Sequence, residues 1–169
     1  MVVLETERLR LRELEAADAA FILELVNEPD WLRFIGDRGI RDLDAARNYI
    51  EQGPRAMQAK HGFGLWCVES RADGTALGMC GLIKRDTLEH VDIGFAFLAR
   101  HRGRGYAREA AQGTLAHAGG LGLKTLAAIT DPANARSIHL LEGLGFRFQE
   151  QRSLSPDAEP LCIYLREPG

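Results

Sequence analysis

The run His90-Val91-Asp92-Ile93-Gly94-Phe95-Ala96-Phe97-Leu98-Ala99-Arg100-His101-Arg102-Gly103-Arg104-Gly105-Tyr106-Ala107-Arg108-Glu109-Ala110 holds the residue types best suited to chemistry. It reads as a strand, then a tight loop with two glycines, then the start of a helix. The first turn of a helix has N–H groups without intrahelical partners, and the helix dipole adds partial positive charge there. Together they bind phosphate-type anions. Gly103 and Gly105 let the backbone approach such an anion with no Cβ in the way. Arg100, Arg102 and Arg104 add charge. The chemistry indicated is recognition of a phosphate-bearing ligand. Two common phosphate signatures fail on residues. No G-x-x-x-x-G-K-[ST] run exists, and Gly103-x-Gly105-x-x ends on Arg108 where a dinucleotide fingerprint needs Gly or Ala.

A second candidate cluster lies downstream. Asp131-Pro132-Ala133-Asn134 leads into a helix for which Asn134 is a good N-cap and Gly145 a good residue just past the end. Ser137 falls in the first turn of that helix, where a local bond to backbone is the ordinary use of a hydroxyl. Cys67, Cys80 and Cys162 all fall in predicted strands, where buried, inert thiols are the common case. Their spacing gives neither a zinc site nor a disulfide framework, so no metal is expected.

These groups must be positioned by a fold that the rest of the chain specifies. Thr6–Leu14 alternates as one strand, with Leu9 and Leu11 inward and Arg8, Arg10 and Arg12 outward. Ala16–Asn27 changes to helical period, with Ala19, Ile22, Leu23 and Val26 on one face, and Pro29 stops it. Trp31–Gly39 reads as loop. Asp42 caps a helix through Tyr49 and Ile50, which Gly53-Pro54 breaks before a short piece to Lys60. Gly64–Ser70 and Ala76–Lys84 form a hairpin across Asp73-Gly74, a type I′ turn signal. His90–Leu98 is a strand, Tyr106–Gly119 a helix, Leu123–Thr130 a strand, and Phe146–Arg152 and Leu161–Arg166 close the chain as strands.

The expected order is β-α-α-β-β-β-α-β-α-β-β. This is an α/β (α+β) class: a mixed, mostly antiparallel sheet with helices on both faces and one parallel pair around the glycine loop. At 169 residues the chain fits a single domain, 1–169. A net charge of −3 disfavours non-specific nucleic-acid binding, so no nucleic-acid partner is expected. No stretch approaches the roughly 20 apolar residues of a membrane helix, and the start lacks the pattern of a signal peptide. The expectation is a soluble, cytoplasmic protein with no membrane partner.

Arg100-x-x-Gly103-x-Gly105-Tyr106-Ala107 resembles the Q/R-x-x-G-x-G/A pyrophosphate loop of the GCN5-related N-acetyltransferase (GNAT) superfamily. Asp92-Ile93-Gly94-Phe95 and Asn134-x-x-Ser137…Leu144-Gly145-Phe146 resemble it too, and the likeness covers nearly the whole chain. The opening Leu4-Glu-Thr-Glu-Arg-Leu-Arg-Leu-Arg12 is similar to the branch of RimJ/RimL-type ribosomal-protein N-terminal acetyltransferases. The resemblance implies that acetyl-CoA is the co-substrate and that the two strands flanking the loop helix splay into a slot. In that slot Phe97, Leu98 and Ala99 would bond the pantetheine amides through free backbone groups. Arg102, Gly103, Arg104, Gly105, Tyr106 and Ala107 would hold the pyrophosphate, and Asn134 would bond the pantetheine arm. An N–H near Phe97 would stabilise the oxyanion.

The resemblance also implies roles for a base and an acid. Asp92, or a water it orders, would deprotonate the acceptor ammonium. The competing reading of Asp92 is a surface carboxylate on an exposed strand face, with Glu89 and His90 as backup bases. Many relatives carry a Tyr four residues after Ser137 as the acid; this chain has Leu141, so either Ser137 or water would protonate or hydrogen-bond the departing thiolate, or no acid is needed because a thiolate leaves readily. Trp31 and Phe34 would contact the acceptor, or else serve only as core. The reaction implied is direct attack of a primary amine, of a protein N-terminus or a small molecule, on the thioester. A route through an acetylated cysteine, a non-catalytic acyl-CoA sensor and an RNA-binding use of the Arg loop are the alternatives. Family members are commonly homodimers.

Overall fold

The computed structural model describes residues 1–168. Two strands open the chain, β1 (Val2–Glu5) and β2 (Leu9–Glu13), where the alternation pattern gave a single strand from Thr6. The Val2-Val3-Leu4 run has high strand propensity, and Thr6 N–H bonds Leu9 C=O at 2.9 Å to close the turn between them. A 3₁₀ turn leads into α1 (Ala19–Leu25), and α2 (Pro29–Phe34) follows. Pro29 therefore opens a helix rather than only ending one, because its missing N–H costs nothing in a first turn. The Trp31–Gly39 segment is accordingly helical over its first four residues, not loop.

Helix α3 (Leu43–Ile50) starts at Asp42, whose side chain accepts the Ala45 N–H at 2.7 Å. Gly53-Pro54 does not break it. A π turn over Glu51–Arg55 carries the chain straight into α4 (Ala56–His61). The wider register relieves the clash between a proline ring and the carbonyl of the turn before it. The remaining elements are β3 (Leu65–Ser70), β4 (Ala76–Ile83), β5 (Asp92–Phe97), α5 (Tyr106–Gly120), β6 (Leu126–Thr130), α6 (Ala135–Gly143), β7 (Arg147–Arg152) and β8 (Leu161–Arg166). The β3–β4 hairpin forms as expected, but not on a type I′ turn. Only Gly74 has positive φ there, and Ser70 N–H bonds Thr75 C=O at 2.9 Å across a four-residue loop.

The sheet has eight strands in the order β1-β2-β3-β4-β5-β6-β8-β7, antiparallel except for β5 and β6. The mixed α/β class with helices on both faces is borne out. Leu9, Leu11, Trp66, Val68 and Cys80 pack under α5, whose Ala110, Ala111 and Ala118 have no exposed surface. Small residues there let the helix lie close on the sheet. The other face buries Ile22, Leu25, Ala46, Ile50, Cys67 and Met79 against α1 and α3. Fully burying each large aliphatic side chain stabilises by about 1.5–3 kcal/mol. All three cysteines are buried and unpaired, and burial pushes the Cys67 and Cys80 thiols up to about 12. That removes them as nucleophiles. Among the described residues no helix is long and apolar enough to cross a membrane.

Candidate active site

Strands β5 and β6 touch at one place, Asp92 opposite Ala127, where Ala127 N–H bonds Val91 C=O at 2.9 Å. Beyond that point they part. The far edge of β5 stays on β4, and Leu98 N–H bonds Leu77 C=O at 3.0 Å. Strand alternation then turns the N–H groups of Phe95 and Phe97 toward the gap. A cavity of about 350 Å³ fills the gap, walled by the end of β5, the glycine loop, the start of α6 and, from α2, Trp31 and Phe34. The Phe97–Ala99 backbone is less free than expected. Phe97 C=O accepts Arg102 Nη2 at 3.2 Å, and Ala99 N–H is taken by the Glu28 carboxylate at 2.8 Å. With Leu98 N–H held by β4, the groups left to the gap are the N–H of Phe97 and the N–H and C=O of Phe95.

The loop has the geometry of an anion cradle. Gly103 and Gly105 have φ of 77° and 79°, a region that L side chains rarely adopt. Gly105 caps α5 without a side chain, and the first intrahelical bond is Glu109 N–H to Gly105 C=O at 3.1 Å. The N–H groups of Gly105, Tyr106, Ala107 and Arg108 precede it and are left for a ligand. Arg8, just before β2, braces this turn. It donates to Arg104 C=O at 2.8 Å and to Glu109 at 2.7 Å, and its guanidinium lies 4.6 Å from the Tyr106 ring centre. The three loop arginines contribute less free charge than their number suggests. Arg100 pairs with Glu24, and Arg102 pairs with Asp30 at 2.6 Å. Arg104 has no ion pair among the described residues. The backbone and dipole, more than the side chains, make this site attractive to phosphate.

A second cavity, of about 260 Å³, adjoins the first along β5 and β6. The two share Trp31, Phe34, Ile35, Phe95, Ala96, Asn134 and Ser137. Asp92 lines the second and is 1% exposed, which excludes the surface reading. Its Oδ1 accepts Arg85 Nε at 2.9 Å, and its Oδ2 is buried without a partner. Burial pushes the carboxyl up to about 6 against the opposing pull of Arg85. Such a group is mostly ionised at neutral pH and basic enough to take a proton. Glu89 and His90, the backups, line neither cavity, and β5 begins only at Asp92, so His90 shares no strand face with it.

Asn134 does cap α6: its Oδ1 accepts the Ser137 N–H at 3.2 Å. Its amide NH₂ remains as a donor at the seam of the two cavities. Ser137 Oγ makes no hydrogen bond within the described residues, so its local-bond reading does not hold. Leu141 is buried and lines the second cavity. Trp31 is core and wall at once: it is 6% exposed, and its indole Nε1 is buried with no partner. Among the cavity residues that the sequence reading did not single out are Arg38, Tyr49 and Arg85. Arg85 was within reach of it. Ile83 pairs with Asp92 across the β4–β5 connection, so the first Arg past β4 falls beside the carboxylate that opens β5.

Residues 8–147 match the model of the Acetyltransferase (GNAT) domain. The chain is 31% identical over 170 residues to the uncharacterised protein YkkB of Bacillus subtilis, covering 97% of this chain and 95% of that one. An acetyltransferase structure from Agrobacterium tumefaciens is 27% identical with a TM-score of 0.81, covering 99% and 94%. RimL, the ribosomal L7/L12 α-N-protein acetyltransferase, reaches a TM-score of 0.82 at 12% identity, covering 99% and 94%, a likeness of fold.

Proposed function

The chain belongs to the GNAT acetyltransferase family and is an N-acetyltransferase, and on that premise we propose that it moves an acetyl group from acetyl-CoA to a primary amine by direct attack, in the cytoplasm. Acetyl-CoA supplies an activated thioester and a pyrophosphate. The residues present suit it: first-turn N–H groups from Gly105 to Arg108, two glycines with no Cβ over the loop, and β5 backbone groups facing a gap. Asn134 offers its NH₂ beside that gap.

In the proposed reaction the amine enters the second cavity as an ammonium and gives one proton to Asp92 or a water it orders. The freed nitrogen bonds the acetyl carbon as the carbon–sulfur bond breaks. Sulfur leaves with the bonding pair, and Ser137 Oγ, which has no intramolecular partner, is placed to hydrogen-bond it. The second proton of the nitrogen passes to solvent. The Phe97 N–H is the candidate oxyanion donor. The observation that carries the reading is the buried, half-paired Asp92 in a cavity that meets the loop cavity at Ser137 and Asn134. A sensor that only bound acyl-CoA would have no use for it. The opening strand and the RimL-like fold support the RimJ/RimL branch.

The test is a thermal melt with acetyl-CoA, CoA, NAD⁺ and ATP, followed by thiol release with a panel of amines. Ligand at 100 times its Kd adds about 2.7 kcal/mol, several degrees at this size. Acetyl-CoA and CoA are expected to raise the melting temperature, and amine-dependent thiol release is expected to follow. A shift with ATP alone would overturn the loop assignment, and binding without transfer would leave the sensor. Within the loop, Gly103→Val is expected to weaken acetyl-CoA binding about tenfold, read by calorimetry, since a β-branched residue at positive φ must reshape the cradle. Unchanged affinity would take Gly103 out of the site.

A further inference from the structure

The second cavity holds three polar groups that the fold leaves unanswered. Asp92 Oδ2 is a buried acceptor, and Nε1 of Trp31, which walls both cavities, is a buried donor, neither with a partner among the described residues. Arg38 lines the same cavity, is exposed, and forms no ion pair among the described residues. The other charges there are spoken for: Arg85 is bound to Asp92, and Asp131 Oδ1 accepts the Ala133 N–H at 2.8 Å. Much of the rest is apolar, including Phe34, Leu65, Met79 and Ile83. A buried donor without a partner is rare in a folded protein and points to a ligand atom.

We infer that the amine acceptor is a small α-amino acid with an apolar side chain, its ammonium facing Asp92, its carboxylate answering Trp31 Nε1–H and Arg38, and its side chain against the apolar wall. The inference rests on the acetyl-transfer reading above and narrows it. A plain alkylamine offers no oxygen to the indole N–H, and binding it would seal that donor in without a bond. A polyamine brings further positive charge to a cavity whose uncommitted exposed charge is Arg38. A peptide N-terminus has a carbonyl for Trp31 but no carboxylate for Arg38. A cavity of about 260 Å³ also suits a single amino acid better than a chain.

The experiment compares leucine, leucinamide and 3-methylbutylamine, which share one apolar group, in steady-state thiol release. Wild-type kcat/KM is expected to fall by about tenfold at each step of that series, as one charged and one neutral partner are removed. Arg38→Gln is expected to erase the step from leucine to leucinamide and keep the other. Trp31→Phe is expected to erase the step from leucinamide to 3-methylbutylamine. Arg38 is exposed, so its variant stays informative if the Trp31 variant folds poorly. Equal rates for all three amines would overturn the inference, as would a peptide with a free N-terminus and an amidated C-terminus exceeding leucine. An equal loss on all three amines in Trp31→Phe would assign the indole N–H to the thioester instead and remove it from acceptor choice. Transfer to none of them, with acetyl-CoA still raising the melting temperature, overturns the acceptor class alone. No response to acetyl-CoA overturns the reading beneath it.

Discussion

Asp92→Asn is expected to lower kcat/KM by about 10²–10⁴-fold and to change the shape of its pH profile. In the wild type two ionisations matter. The acceptor enters as an ammonium and must lose a proton, with a pKa of about 8 for a chain-terminal α-amino group and higher for a free amino acid. Asp92 must be ionised to receive it, and burial has pushed its carboxyl up to about 6. Because the proton that leaves the ammonium is the one Asp92 receives, the logarithm of kcat/KM rises with slope one below about pH 6 and is level from there to the pKa of the acceptor. In the Asn variant the break at about 6 disappears and slope one runs up to the pKa of the acceptor, since the amine must then arrive neutral. An unchanged profile would remove Asp92 as the base.

The same residue makes a stability argument of opposite sign to an ordinary ion pair. A carboxyl at 3.8 in the unfolded chain and about 6 in the folded one binds its proton more tightly when folded. Its favourable contribution is fully present below about pH 4 and is lost as pH rises through 6. Above that, the ionised folded form carries a penalty of about 3 kcal/mol. Asparagine keeps an oxygen for Arg85 Nε and carries no charge, while Arg85 still reaches solvent, 32% exposed. Asp92→Asn is thus expected to melt as high as the wild type or higher at pH 8, and to lose that advantage at pH 5. A lower melting temperature at pH 8 would mean that the Arg85 pair is structural and the base lies elsewhere.

What the sequence revealed and what it concealed follow one division. The glycine loop, the Asn134 cap and the β-α-β crossover are local: residue type fixes backbone shape within a few positions, and the fold has them where spacing put them. The first strand was missed because Val2-Val3-Leu4 shows no alternation, and an apolar run pairs only if a partner exists. Pro54 does not stop its helix, and Pro29 both follows one helix and opens the next, because proline's meaning depends on the register around it. The site's electrostatics were the least legible. Arg100 and Arg102 looked like ligand charges, but Glu24 and Asp30, more than 70 residues earlier, hold them. The sequence left Asp92 open between a base and a surface carboxylate, and the fold buries it beside Arg85. Partner choice over such sequence distances is set by the packing of the whole sheet, which periodicity does not encode.

Gly81→Ala is expected to lower the unfolding free energy by about 3 kcal/mol or more, a fall in Tm of roughly 6–12 °C at this chain length. Gly81 lies in β4 between Leu65 of β3 and Gly94 of β5. A Cβ there would sit 2.0 Å from Gly64 C=O and 2.8 Å from Leu65 Cα. Both are backbone, so no side-chain rotation relieves the contact. Nor can the β3 end withdraw freely. Gly64 C=O accepts Leu82 N–H at 3.0 Å, and a Cβ on Gly64 itself would lie 2.7 Å from Pro54 C=O. The π turn, the start of β3 and the middle of β4 are thus stacked with no room for a methyl group. The displacement would reach the acceptor cavity, whose wall includes Leu65, Met79, Ile83 and Gly94. Acceptor KM is therefore expected to rise more than the Kd for acetyl-CoA, whose loop lies beyond β5. Gly53→Ala is the matched control, with no atom within 4 Å of its Cβ and a helical setting. It is expected to be neutral or to stabilise by about 0.5–1 kcal/mol. If the two variants melted together, close backbone approach at Gly81 would not be what holds β3, β4 and the cavity wall in place.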